Sequence, residues 1–155
     1  MFRNVIWATD GSENAERALP TALDLVEQSG GKLFVVHANE ILGGRAGGAP
    51  AYADEDDRRA ELHAEVNRLL EGGIDAELHI VAGVQRHPAD LIAKKAKELD
   101  ADVIVVGTRG HGAMTGLLLG SVTQRLLHVS PCPVLAVPVR VTARSEPEKA
   151  AAGAA

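Results

Sequence analysis

Short apolar runs alternate with longer segments of helical spacing along most of this chain. Each short run is rich in β-branched residues and is bounded by Gly, Pro, Asp or Asn, which is typical of β-strands. The runs are NVIWAT, KLFVVHA, AELHIVA, DVIVVG and PVLAVP. With helices between them, the order βαβαβαβαβ predicts an α/β fold in which a mainly parallel sheet is covered on both faces.

The segments between the strands carry apolar residues on one helical face. In the first of them Ser12 is the predicted N-cap, and Pro20 predicts a kink. Gly72-Gly73 predicts the end of the second helical segment. We expect helices at Glu13–Ser29, Asp56–Glu71 and Pro88–Leu99, and a fourth that begins near Ser121.

Two segments fall outside this alternation. The stretch ILGGRAGGAPAYADEDD is rich in Gly, Ala and Asp and predicts a mobile loop over about residues 41–55. The last residues, TARSEPEKAAAGAA, predict a disordered tail over residues 141–155. A length of 155 residues is typical of one domain, which we place at residues 1–140.

Composition excludes several classes of protein. The formal net charge is −5 and no basic face is visible, so a nucleic-acid partner is not expected. No apolar run approaches the roughly 20 residues of a membrane span, and the N-terminus MFRNVIWATD lacks a secretory pattern. The single cysteine, Cys132, fits a reducing compartment. We therefore expect a cytoplasmic protein without a membrane partner.

The first and fourth strands end in the polar and glycine-rich residues of the chain. Open α/β sheets bind ligands outside the carboxyl ends of their strands, where the winding reverses. If the chain runs outward through the second and third strands and then crosses back, the strand order is 3-2-1-4-5. We predict this doubly wound, Rossmann-like sheet of five strands, with the first and third helices on opposite faces. A crevice then opens between Asp10 and Gly107.

The stretch GTRGHGAMTGLLLGSV follows the fourth strand and poses a choice between a hinge, a packing adaptation and a phosphate cradle. No Gly-Lys-Ser/Thr occurs, which excludes a Walker A loop, and the spacing is not that of the dinucleotide fingerprint. What remains is a Gly-x-x-Gly turn at Gly107 and Gly110, a spacer of nine residues, and Gly120-Ser121 at a helix start. Such glycines can take positive φ, and a helix start offers N–H groups to an anion. The position beside Asp10 favours the cradle.

The chain resembles the universal stress protein domain over about residues 2–138. The resemblance rests on VIWATDGSENAERAL, DADVIVVGTRGHG and SPCPVLAVP, and above all on the spacing G-x-x-G-(nine residues)-G-S. That spacing marks the ATP-binding branch of the family. The resemblance implies bound ATP, with Mg²⁺ or Mn²⁺ bridging its phosphate oxygens, and a homodimer through the last strand, Pro133 to Val139.

The resemblance also implies roles for the matching positions. Asp10 and its neighbours lie against adenosine, the backbone near Ala38 meets adenine, and the glycine loop wraps the ribose and phosphates. The implied nucleotide-binding residues are Ala8, Thr9, Asp10, Ala38, Gly107, Thr108, Arg109, Gly110, His111, Gly112, Ala113, Gly120, Ser121, Val122 and Thr123. Ala38, placed at the end of the second strand, replaces a commoner valine, which matters little for a backbone contact.

Several of these residues have alternative readings. Asp10 is either a ligand residue or only a cap for the first helix beside Ser12. Ser121 is a good N-cap as well as a phosphate ligand, and the two roles are compatible. Arg109 and His111 either reach a phosphate or point into solvent.

Other prominent residues are interpreted as structural. Gly112 and Gly116 either contact the ligand or only make the loop pliable. Strand alternation directs Trp7 to the opposite face from Asp10, which predicts core packing rather than stacking on adenine. The remaining histidines lack the spacing of metal ligands, so no protein metal site is expected. They are His37, His63, His79, His87 and His128.

The predicted function is that of a nucleotide-dependent regulatory protein of the stress response. A hydrolase needs a group that activates water and a charge clamp on the γ-phosphate, and neither is found, so we expect no catalytic residue and at most slow ATP hydrolysis. The alternatives are an adenine-nucleotide hydrolase or adenylating enzyme of the same fold, and an AMP-binding module. The apolar last strand favours edge pairing of two subunits. Replacing Gly107 or Gly120 by Ala is expected to abolish most nucleotide binding and to leave the fold intact.

Overall fold

The computed structural model of the chain describes residues 1–41, 49–84, 86–109 and 119–138, with the backbone alone at 40, 41 and 49–54. The strands are β1 (Asn4–Ala8), β2 (Lys32–Ile41), β3 (Ala76–Val84), β4 (Val103–Gly107) and β5 (Val134–Val137). The helices are α1 (Glu13–Glu16), α2 (Leu19–Ser29), α3 (Ala49–Glu71), α4 (Pro88–Glu98) and α5 (Ser121–Val129). Helices and strands alternate as the sequence predicts, except that the first predicted helix is divided in two.

All five strands lie in one parallel sheet of order β3-β2-β1-β4-β5, which confirms the predicted topology. In register, Ala8 of β1 lies beside Val36 of β2 on one side and beside Val106 of β4 on the other. The first strand is therefore central, and the direction of winding reverses between β1 and β4. The sequence predicts the crevice at this reversal, between Asp10 and Gly107.

The sheet has a hydrophobic layer on each face, because successive side chains of a strand point to opposite sides. Val5 and Trp7 pack with α2 and α3, whereas Ile6 and Ala8 pack with α4 and α5. The two predicted helices that flank the crevice thus lie on opposite faces, as expected. Trp7 is buried and its Nε1–H donates to the carbonyl oxygen of Ala15 at 3.0 Å, which confirms its interpretation as a core residue.

The predicted helix 13–29 is broken rather than kinked. Its first turn, α1, begins after Ser12, whose Oγ accepts the N–H of Ala15 at 3.2 Å and confirms the predicted cap. The second part, α2, begins at Leu19 with Pro20 in its first turn. Proline has no N–H to donate to the carbonyl of Glu16, so the chain restarts a helix there instead of continuing one.

The region after the second strand differs from the prediction. β2 continues to Ile41, because its ladder with β3 extends to the pair Ile41–Val84, and Ala38 is therefore inside the strand rather than at its end. α3 begins at Ala49 instead of Asp56. Residues 49–55 of the predicted loop are helical, since alanine is the strongest helix former and Pro50 suits a first turn. The predictions for residues 42–48 and for the tail lie outside the described residues.

Candidate functional site

The strands β1 and β4 separate at their carboxyl ends. Their ladder ends at the pair Ala8–Val106, after which each chain bonds to its other neighbour. The N–H of Thr9 donates to Val36 of β2 at 3.0 Å, and the N–H of Thr108 donates to Val137 of β5 at 3.0 Å. The pairing of β1 with β4 thus ends at the position where the topology predicts the crevice.

The turn that follows β1 is fixed by its own side chains. Thr9 Oγ1 accepts the N–H of Gly11 at 3.0 Å, and Asp10 Oδ1 accepts the N–H of Ser12 at 3.0 Å. Gly11 has a φ of +75°, a conformation that favours glycine. Asp10 therefore supports the residue that caps α1, and it lies partly exposed at the crevice. The structure accommodates both readings of Asp10.

The start of α5 is joined to the end of β4 by two hydrogen bonds. The N–H of Gly120 donates to Thr108 O at 2.7 Å, and Thr123 Oγ1 donates to Gly107 O at 2.8 Å. Gly120 is the N-cap, with an extended backbone and no side-chain cap. The first-turn N–H groups of a helix have no acceptor within the helix. The first-turn N–H groups of α5 therefore lie beside the predicted crevice, at the positive end of the helix dipole.

The structure brings most of the implied nucleotide residues to this edge of the sheet. The described ones here are Ala8, Thr9, Asp10, Gly107, Thr108, Arg109, Gly120, Ser121, Val122 and Thr123. Ala38 lies one strand away, paired with Val81 and packed on the α4 side. Gly110, His111, Gly112, Ala113 and Gly116 lie outside the described residues, and so does Val139 of the last strand.

Two of these residues have structural tasks that the sequence did not indicate. Gly107 does not have a positive φ, and a Cβ on it would lie 2.6 Å from the backbone oxygen of Asn14. The expectation that Gly107→Ala leaves the fold intact is therefore wrong, because α1 packs directly on β4 there. Thr123 is 3% exposed and its hydroxyl donates to Gly107, which leaves its backbone N–H as the group that can face an anion.

A buried polar pair behind the turn was missed from the sequence. His37 lies between the carbonyl of Thr9 and the carboxylate of Glu55 on α3. Alternation along β2 could have placed His37 on the same face as Leu33 and Val35. Nothing in the pattern pairs it with Glu55, which was assigned to a loop.

The ion pair of Asp90 and Arg125 holds α5 against α4. Both nitrogens of the bidentate contact, Nε and Nη2, lie 2.9 Å from the carboxylate oxygens. This guanidinium holds the pKa of the Asp90 carboxyl below its ordinary value. Both side chains are partly exposed, so the pair makes a modest contribution beside the packing of α5 on α4 and the sheet.

A cavity of about 420 Å³ lies beside the turn, on the α3 side of the sheet. It is bordered by Trp7, Thr9, Gly11, Leu19, Arg58 and Leu62, among others. None of the residues at the end of β4 or the start of α5 borders it. Among the described residues, the cavity shares Thr9 and Gly11 with the turn after β1 and lies on the α3 side of it.

The described residues contain no group of three or more His, Cys, Asp or Glu side chains that could hold a metal ion. In the same part of the chain, no helix is both long and apolar enough to cross a membrane.

Fold and crevice together define a doubly wound α/β protein with a polar site at its switch point. The family model of the Universal stress protein family matches residues 1–138. The chain belongs to this family. A protein of Thermus aquaticus described as a universal stress protein is 38% identical over 141 residues, covering 88% of this chain and 99% of its own.

Two solved structures of the family are similar to this chain along nearly their whole length. A universal stress protein in complex with cAMP is 30% identical, with a TM-score of 0.66 over 88% of this chain and 97% of its own. A universal stress protein of Archaeoglobus fulgidus in complex with dAMP is 26% identical, with a TM-score of 0.65 over 87% and 97%. Some structural neighbours thus bind adenine nucleotides.

Proposed function

We propose that this chain binds an adenine nucleotide in the crevice between β1 and β4, as a nucleotide-dependent regulatory protein of the stress response. The observation that carries the proposal is the separation of Thr9 and Thr108 at the switch point, with the start of α5 joined to Thr108. This arrangement offers backbone N–H groups to phosphate oxygens. The cAMP and dAMP complexes of similar proteins support the adenine part.

ATP is the nucleotide that the spacing of Gly107, Gly110 and Gly120 favours. Contact with one exposed helix dipole contributes about 0.3–1 kcal/mol, whereas micromolar affinity requires about 8 kcal/mol. Several amide contacts and burial of the base must therefore add up. A Mg²⁺ or Mn²⁺ ion would reduce the repulsion between a triphosphate and an acidic protein, held by phosphate oxygens and water rather than by a protein cluster.

The site supports binding better than turnover. Asp10 is the carboxylate that the described part of the crevice offers, and its Oδ1 accepts the N–H of Ser12. The family resemblance implies that Asp10 contacts adenosine, which would leave it far from the γ-phosphate. We expect ATP hydrolysis to be slow at most.

A monophosphate is the second candidate ligand, because cAMP and dAMP each carry a single phosphate. One helix start can satisfy one phosphate without a metal ion. Mass spectrometry of nucleotide released from the purified protein separates the candidates. Calorimetric titration with ATP, AMP and cAMP, with and without Mg²⁺, then ranks them. Absence of both co-purified nucleotide and any binding at millimolar concentration would refute the proposal.

We also propose a homodimer through β5, the edge strand. Leu135 is 39% exposed on β5, and Leu127 and Val129 of the preceding helix are exposed apolar residues as well. An unpaired apolar edge is a template for pairing with a second strand. A cytoplasmic location, predicted from the sequence, completes the proposed role.

A further inference from the structure

His37 is a buried titratable residue that the proposed nucleotide contacts do not use. It is 2% exposed and lies on the face of β2 that packs against α3. Its Nδ1 is 2.9 Å from the carbonyl oxygen of Thr9, and its Nε2 is 3.1 Å from Oε1 and 3.4 Å from Oε2 of Glu55. One ring thus joins the end of β1 to α3, through Glu55, which lies 18 residues after His37 in the chain.

The partners of the ring determine where its protons are. A carbonyl oxygen only accepts, so Nδ1 carries a hydrogen and donates it to Thr9. Nε2 is then the ring nitrogen that faces the carboxylate of Glu55.

The surroundings of the pair are mixed in charge. On α3, Arg58 Nη1 lies 3.9 Å and Arg59 Nε 3.6 Å from the carboxylate of Glu55. On β3, the residue beside His37 in the ladder is the apolar Ile80. On β1, the ring faces a backbone dipole rather than a charge. Glu55 is thus shared by one histidine and two arginines.

Thr9 has a partner for each of its polar groups. Its N–H donates to Val36, its Oγ1 accepts from Gly11, and its carbonyl oxygen accepts from His37. Two of these three bonds join it to β2, on the side away from β4. The bond from His37 is therefore the one by which a side chain holds the end of β1 away from β4 and orients the peptide between Thr9 and Asp10.

We propose that His37 is a positioning residue of the nucleotide site. Its Nδ1–H fixes the carbonyl of Thr9, which keeps the crevice open and presents Asp10 in one orientation, and its Nε2 attaches this turn to Glu55 of α3. The proposal rests on the proposed function, since the turn it positions is the adenosine side of that site.

Two conservative variants distinguish the hydrogen bond of Nδ1 to Thr9 from that of Nε2 to Glu55. An asparagine amide nitrogen occupies roughly the place of Nδ1, so His37→Asn keeps the hydrogen bond to Thr9 and loses the one to Glu55. A glutamine amide nitrogen reaches the place of Nε2, so His37→Gln keeps the hydrogen bond to Glu55 and loses the one to Thr9. We expect His37→Asn to retain ATP affinity and His37→Gln to lose about tenfold, the effect of one buried hydrogen bond. Equal affinities in the two variants would overturn the proposal.

Nuclear magnetic resonance tests the hydrogen bond independently of nucleotide binding. Long-range ¹H–¹⁵N correlations of the His37 ring in the wild-type protein are expected to show a protonated Nδ1, and an unprotonated Nδ1 overturns the proposal even if His37→Gln does not fold. The backbone amide signals of Asp10 and Gly11 should shift in His37→Gln and stay in place in His37→Asn. Wild-type protein that binds no nucleotide refutes the proposed function, whereas wild-type binding with unchanged affinity in His37→Gln refutes the positioning role alone.

Discussion

The backbone of Gly107 packs against the carbonyl group of Asn14, so closely that a Cβ on Gly107 would lie 2.6 Å from the Asn14 oxygen. The contact lies between α1 and the end of β4. An interior strand of the sheet and the first helix therefore approach each other to a distance that only glycine permits.

We expect Gly107→Ala to destabilise the fold by about 1–3 kcal/mol, the usual effect of overpacking. The neighbour is backbone, so it cannot rotate away. Urea unfolding followed by circular dichroism measures the change. Gly72→Ala is the matched control, because its Cβ would lie at an ordinary 3.4 Å from Arg68 O. Equal unfolding midpoints for the two variants would contradict the packing role of Gly107.

The role of the Ser121 amide N–H in phosphate binding can be tested with a variant that removes this N–H and keeps the helix. Ser121 is the first residue of α5, and Gly120 before it has φ −69° and ψ 155°, values that suit a residue preceding proline. Proline is favoured at a first helical position. Ser121→Pro should therefore keep the melting temperature and weaken ATP binding about tenfold, the loss of one charge-assisted hydrogen bond.

Ser121→Ala is its control, because it removes the hydroxyl and keeps the N–H. We expect its affinity to fall between those of the wild type and Ser121→Pro in calorimetric titration. Full affinity in Ser121→Pro would exclude this N–H from the phosphate site.

Asp102 makes the fold sensitive to acid. Its Oδ2 accepts the N–H groups of Arg3 and Asn4 at 2.7 and 2.8 Å, and these backbone bonds hold the pKa of the carboxyl below its ordinary value of 3.8. Because the folded pKa is the lower one, the stabilisation is fully present above the unfolded value. It is lost as the pH falls through the folded pKa.

Urea unfolding midpoints measured from pH 7 to about pH 2 should therefore fall more steeply in the wild type than in Asp102→Asn. At neutral pH the variant should be the less stable of the two, since an amide accepts these bonds more weakly. Parallel pH profiles would exclude Asp102 as a source of the acid sensitivity.

The β5 edge can be tested with a charge. Leu135→Lys places a lysine on the exposed side of the edge strand, where it should weaken self-association by about tenfold or more if two β5 strands pair. Val84→Lys is the control, because Val84 is 62% exposed at the end of β3, on the opposite edge of the sheet. Sedimentation velocity over a concentration series measures both. Unchanged association in Leu135→Lys would place the interface elsewhere.

The topology was predictable because hydrophobic periodicity identifies the strands and helices, and the rules for connections between parallel strands then favour one strand order. The proposed place of the site was inferred from that topology. The task of Gly107 was not predictable, since a glycine needed for close packing and one needed for a ligand look alike in a sequence. The pairing of His37 with Glu55 depends on where α3 begins, and the Gly/Ala-rich composition before Asp56 concealed its first residues.

The bond from the Gly120 N–H to Thr108 O holds the two ends of the intervening segment together. Donor and acceptor are both backbone groups. The start of α5 therefore stays attached to the end of β4 whichever side chain stands at position 108, so a substitution there changes the surface of the site without moving the helix.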